Sequence, residues 1–118
     1  MQKHEVRGWI EETGVIAAVR ARTKEDAVFA AETLVNSGIP VIEIGLTIPQ
    51  AASVINLLAK RIPGIVVGAG DVNDAETARQ CLDAGAQFLT SEGFDSAVRG
   101  GECEPAQCDH LIGAMLPQ

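Results

Sequence analysis

The sequence predicts an α/β fold of about four βα units with parallel strands, preceded by an N-terminal helix. Three observations predict it. Short apolar runs alternate with stretches whose apolar residues recur at helical spacing, the pattern of parallel βαβ units on short loops. The runs begin near residues 15, 41, 65 and 87, spaced 22 to 26 residues apart. Aromatic residues are limited to one tryptophan and three phenylalanines, with no tyrosine. The core must therefore be built from Val, Ile, Leu and Ala, the palette of strands buried on both faces.

Each element follows in order. Lys3–Glu12 reads as a helix with Trp9 and Ile10 turned inward. Val15–Val19 (VIAAV), behind Gly14, is a compact apolar run and reads as a buried strand. Thr23 offers an N-cap, with Asp26 three residues on in a near capping box. From Lys24 to Asn36 the stripe Ala27, Ala30, Ala31, Leu34 and Val35 marks a helix, and Gly38 ends it in the left-handed region. Val41–Leu46 (VIEIGL) is the second strand. Pro49 suits the first turn of the next helix, whose stripe is Ala52, Ile55, Leu58 and Ala59 and which Pro63-Gly64 stops. Ile65–Ala69 (IVVGA) is the third strand. Asp74 caps the helix Ala75–Ala84, Gly85 ends it, and Gln87–Thr90 (QFLT) is the fourth strand. Each crossover is expected to be right-handed.

The period then breaks. Ser96–Gln118 has no apolar repeat, holds two of the three cysteines, and offers at most the run Leu111–Leu116 as a further strand. The organisation read from this is residues 1–95 as the βα part and 96–118 as an atypical tail. The abrupt change near Val98 suggests a frame change or a truncated gene. Four βα units fit either an open doubly wound sheet or half of an eight-stranded barrel. A closed barrel needs on the order of 200 to 250 residues, and this chain has 118.

Composition excludes several classes. Hydrophobic residues make up 47% and charged residues 21%, an ordinary soluble balance. The net charge of −7 and the absence of a Lys/Arg cluster argue against nucleic acid as partner. No run is long and apolar enough for a membrane span, and the polar start MQKHEVRGW is no signal peptide. Cys81, Cys103 and Cys108 fit no zinc spacing and read as free thiols, as in a reducing cytoplasm. Neither a metal nor another cofactor is expected.

Glu43 is the most informative residue, because it interrupts the apolar strand VIEIGL. A carboxylate there must find a partner or change its protonation. It is either a general acid/base facing a site or a glutamate paired with a cation or leaning out at a sheet edge. Arg20 ends the first strand and Arg22 follows it. A cation at the C-terminal end of a parallel strand suits a carboxylate or phosphate, though a loop arginine is more often merely exposed. Gly68-Ala69-Gly70-Asp71 ends the third strand with small residues that admit a ligand or form a tight turn. Asp71 could accept from a substrate or pair with an arginine. With Ser91-Glu92-Gly93 after the fourth strand, Glu43, Thr47, Asp71 and Glu92 would share one acidic rim. Lys3, Lys24 and Lys60 all fall outside the strands and read as surface residues.

Two stretches, VIAAVRARTKEDAVFAAETLVNSGIPVIEIGLTIPQA and GIVVGAGDVNDAETARQCLDAGAQFLTSEGFD, together resemble the first half of the class I 2-keto-3-deoxy-6-phosphogluconate (KDPG) / 4-hydroxy-2-oxoglutarate (KHG) aldolase family. The resemblance covers about Gly14 to Asp95. Its most specific pieces are the glutamate of VIEIGLT, the VGAG run and DAGAQFLTSEG. It implies the N-terminal half of a (β/α)8 TIM barrel, a small-molecule 2-keto acid as substrate, no metal, and a homo-oligomer, a trimer in the family, or self-association of the half-barrel. It implies cleavage to pyruvate and an aldehyde through an imine on a lysine. Glu43 matches the family's catalytic glutamate and Arg20 a substrate-holding arginine. Thr47 stands where many members have arginine, Asp71 where they have threonine, and Glu92 where they have proline; all three are at substrate-binding positions. The imine-forming lysine, in a motif like VKFFP, does not occur in these residues, so the resemblance implies a chain inactive by itself.

Overall fold

The computed structural model describes residues 3–91 and 109–110. The order of elements is α1 (Lys3–Thr13), β1 (Ala17–Val19), α2 (Lys24–Asn36), β2 (Val41–Gly45), α3 (Ala51–Arg61), β3 (Val66–Gly70), α4 (Ala75–Ala84), β4 (Phe88–Leu89) and β5 (Asp109–His110). All neighbouring strands are parallel, and their spatial order is β1-β2-β3-β4-β5. That order decides between the two architectures left open above. A doubly wound sheet reverses its strand order at a switch point, whereas this sheet adds each strand beside the last, as a barrel does. The fourth pairing, which brings in β5 through Leu89 with His110, lies just ahead of the apolar run expected to supply a further strand.

The helices begin and end where local chemistry directs. The Thr23 hydroxyl accepts from the Asp26 amide at 3.1 Å, and the Asp74 carboxylate accepts from the Thr77 amide at 2.7 Å. Behind α2 the amide of Ile39 donates to the Leu34 carbonyl and that of Gly38 to Val35, with Gly38 at φ +93. This is the left-handed closure that a glycine permits and a Cβ opposes. Gly85 closes α4 the same way at φ +116. Pro49 departs from expectation: it lies two residues ahead of α3, and Gln50 (φ 57) caps that helix without a side-chain bond.

β2 and β3 are buried along their whole length, which explains their unbroken apolar sequence. One face of the sheet meets α2, α3 and α4 in the larger core, built around Ile42, Ile44, Ile55, Leu58, Val67 and Leu89. Side chains of that size contribute roughly 1.5–3 kcal/mol each on full burial. The opposite face carries a smaller cluster at its N-terminal end, where Val6 packs with Val41, Val66 and Phe88 and is flanked by Ile10 and Ile16. So α1 turns Val6 and Ile10 inward, while Trp9, expected inside, is 44% exposed. Above this cluster, toward the C-terminal ends of the strands, the same face is lined by polar and small residues.

Glu92, Cys103, Cys108, the boundary at residue 95 and the run Leu111–Leu116 lie outside the described residues. No helix among those described is long and apolar enough to cross a membrane.

Candidate active site

Strand register sets the site. Ala18, Glu43 and Gly68 stand abreast on β1, β2 and β3. Successive side chains alternate between faces, so Glu43 shares a face with Val41 and Gly45, and Gly68 shares it with Val66 and Gly70. On the fourth strand Phe88 and Thr90 point the same way. This face is thus apolar at its base and carries Glu43, Gly45, Gly70 and Thr90 above, with Arg20 following β1.

Three glycines on this face make room for side chains from adjoining strands. A Cβ on Gly68 would overlap the Phe88 ring. One on Gly70 would lie 2.5 Å from the Glu43 carboxyl carbon, and one on Gly45 would lie 2.6 Å from Arg20 Nη1. Glu43 therefore lies across β3 and Arg20 across β2, each filling the space a neighbouring side chain would take.

These glycines gather four polar side chains. The Thr90 hydroxyl donates to Glu43 Oε1. Arg20 Nη1 lies 3.6 Å from Glu43 Oε2, and its Nη2 lies 3.4 Å from an Asp71 carboxylate oxygen. The Glu43 side chain is only 4% exposed, that of Asp71 is 21% and that of Arg20 is 45%. Glu43 is thus a buried carboxylate with both oxygens partnered, which burial of a charge requires. Asp71 holds its position from the left-handed region, φ 65, where a non-glycine residue is uncommon.

The expected rim is redrawn in part. Arg20, Glu43 and Asp71 come together, but Glu43 sits below the rim, inside the strand. Thr47 is exposed in the turn after β2, and no hydrogen bond or ion pair among the described residues joins it to the cluster. Arg22 is exposed as well. Thr90, buried at 2% exposure, is the member that sequence reading passed over. Its signal was the alternation of QFLT, which puts Thr90 on the same face as Phe88, one rung nearer the mouth.

Lys24 opens α2 and Lys60 lies near the end of α3, so neither of these amines is on a strand. Cys81 packs into the helix-covered core. Burial, with a lesser contribution from the Asp74 charge, pushes its thiol up to about 11, so it stays protonated and inert at neutral pH. No three His, Cys, Asp or Glu side chains among the described residues gather as metal ligands would. Two shallow grooves of about 290 and 470 Å³ lie on the helical outside, and neither is lined by Arg20, Glu43, Asp71 or Thr90.

Comparison with known proteins gives one consistent answer. The profile of the KDPG and KHG aldolase family matches residues 6–112. A 2-dehydro-3-deoxy-phosphogluconate aldolase of Treponema pallidum is 36% identical over 89 residues, covering 75% of this chain and 42% of its own. The KHG/KDPG aldolase of Escherichia coli K12 is 35% identical over 80 residues, covering 68% of this chain and 38% of its own. Among solved structures, the KDPG aldolase of Zymomonas mobilis ZM4 with 3-phosphoglycerate superposes with a TM-score of 0.74 at 29% identity, over 92% of this chain and 52% of that one. The Legionella pneumophila enzyme, holding pyruvate as a covalent carbinolamine, gives 0.69 at 30% identity, over 79% and 46%. The chain spans about two fifths of the length of the first two relatives and about half of the solved chains.

Proposed function

Because the chain belongs to the KDPG and KHG aldolase family, we propose that it provides the proton-transfer half of a class I aldolase centre acting on a small 2-keto acid. The substrate is 2-keto-3-deoxy-6-phosphogluconate or 4-hydroxy-2-oxoglutarate, and the products are pyruvate and an aldehyde. The observation that carries this reading is the buried Glu43 carboxylate, set in a glycine-lined gap toward the C-terminal ends of parallel strands. Active sites of barrels lie at that end.

In this chemistry a lysine imine draws electrons from the breaking carbon–carbon bond. Glu43 would take the proton of the substrate's hydroxyl as the bond breaks, directly or through a water, and return it to the resulting enamine. Arg20 would hold an anionic group of the substrate. None of the three lysines in the sequence is on a strand, so the amine has to reach Glu43 from elsewhere. These 118 residues alone are then expected to bind a keto acid without cleaving it. The assembly proposed is a homo-oligomer, or a half-barrel paired through its strand edges, in the cytoplasm.

A second reading is a non-catalytic α/β binding domain. The Arg20–Asp71 pair favours it, because a carboxylate of the chain already occupies the cation that a substrate carboxylate would use. One titration separates the two. Pyruvate is added to the isotopically labelled chain up to about 10 mM, above the usual millimolar ceiling for substrate affinity. Saturable shifts of the Gly45, Gly70 and Asp71 amides are expected, and Asp71→Thr should tighten binding several-fold by freeing Arg20. No shift at these residues in either protein would overturn the keto-acid reading.

A further inference from the structure

We propose that Thr90 is the positioning residue of Glu43: it anchors carboxylate oxygen Oε1 and leaves Oε2 as the oxygen that exchanges protons with substrate. What Glu43 does rests on the reading above; how it is held rests on geometry alone.

The two partners of Glu43 among the described residues differ in kind. The Thr90 hydroxyl makes a hydrogen bond to Oε1. Arg20 approaches Oε2 only to 3.6 Å, beyond hydrogen-bond range, so it attracts the carboxylate without fixing its direction. Arg20 is also half-exposed and shared with Asp71. A bound anion would draw it toward the mouth, and Thr90 would then be the one partner of Glu43 among the described residues left in place.

Thr90 is built to stay. It is 2% exposed. Its amide donates to the Ala69 carbonyl at 2.9 Å, and its own carbonyl accepts from the Val72 amide at 3.1 Å. These two bonds tie Thr90 to the chain on either side of Gly70, the residue whose bare α-carbon lets Glu43 lie flat. A β-branched side chain has few χ1 choices, so the hydroxyl direction is set with the backbone. The gap beside Gly70 and the hydroxyl above it form one device: the first admits the carboxylate, the second orients it. A group that must meet a proton within hydrogen-bond reach gains from such preorganisation.

The test uses the whole 118-residue chain, labelled for NMR, as wild type, Thr90→Val and Thr90→Ser. Valine keeps the volume and removes the donor, while serine keeps the donor. A Thr90 hydroxyl proton in slow exchange with water is expected in the wild type. Three-bond couplings along the Glu43 side chain should report a single rotamer in wild type and Thr90→Ser, and rotamer averaging in Thr90→Val. Adding about 10 mM pyruvate, above ordinary affinity limits, should leave the wild-type couplings unchanged. A Glu43 as ordered in Thr90→Val as in wild type would overturn the proposal. So would a Thr90 hydroxyl proton exchanging as fast as an exposed one, a result that needs no variant to fold. Absence of pyruvate-induced shifts with Glu43 still ordered counts against the keto-acid reading alone, so the two failures are distinguishable.

Discussion

At Gly70 a single missing carbon decides where a charge can sit. A Cβ there would come within 2.5 Å of the Glu43 carboxyl carbon and 2.8 Å of Oε2. The backbone at Gly70 is not in the left-handed region, so an alanine would be opposed by space and not by φ. Gly70→Ala is expected to lower stability by about 1–3 kcal/mol, the ordinary cost of overpacking. It should also break the Thr90–Glu43 bond, because the carboxylate must move. Urea unfolding reads the first effect and loss of the slow Thr90 hydroxyl proton reads the second; a neutral variant that keeps that proton would mean the sheet yields instead. Glu43 was legible in the sequence because a carboxylate in VIEIGL contradicts its surroundings. Thr90 was not, because a threonine closing an apolar run is what β-propensity alone would place there. Thr47 lies in the turn after β2, because the strand ends at Gly45, and it is exposed there instead of joining the buried cluster.

The helices that carry the site are held by caps that local sequence announced, and one of these caps titrates. Asp74 accepts from the Thr77 amide at the start of α4, and that bond, aided by the Thr77 hydroxyl, holds its carboxyl below the usual aspartate range. The group's folded value is depressed, so its contribution to stability is complete above the unfolded-state value. It is lost as pH falls through the folded one. Asparagine caps a helix about as well and does not titrate. The stability of wild type relative to Asp74→Asn should therefore fall on acidification from about pH 5 to about pH 2, the window in which carboxylate linkage is lost. Thermal unfolding across that range checks it, and a difference that ignores pH would deny the linkage. Capping at Thr23, Asp74, Gly38 and Gly85 was readable because each depends on one residue and its nearest neighbours. The start of α3 was not: a proline at 49 fits the first turn of a helix, yet Gln50 enters the left-handed region and delays the helix to Ala51. β1 likewise begins at Ala17 and not at Val15, which is 52% exposed, since an apolar residue ahead of an edge strand need not join it.

At the scale of the whole chain, sequence period fixed the number of βα units but not their arrangement. Identical strand and helix lengths suit an open doubly wound sheet and a growing barrel, and only the order of strands in space separates them. That order also explains why the sheet needs α1. Helices α2, α3 and α4 all cover one face, so at the N-terminal end of the other face Val41, Val66 and Phe88 depend on Val6 and Ile10 for cover. Phe88 in turn lies over Gly68, which stands abreast of Glu43, so this small cluster is the floor of the site. Removing residues 1–13 should strip that floor without touching a residue of the cluster above it. The loss of Val6 and Ile10 packing is expected to cost about 2–5 kcal/mol, as for two aliphatic side chains, one fully buried and one partly. Urea unfolding measures that cost. The exposed floor should bind a hydrophobic dye, and the Glu43 couplings should average as Phe88 loosens. A truncated chain with unchanged stability and an ordered Glu43 would show that the sheet supports its own inner face, and that α1 serves some purpose other than closing the base of the site.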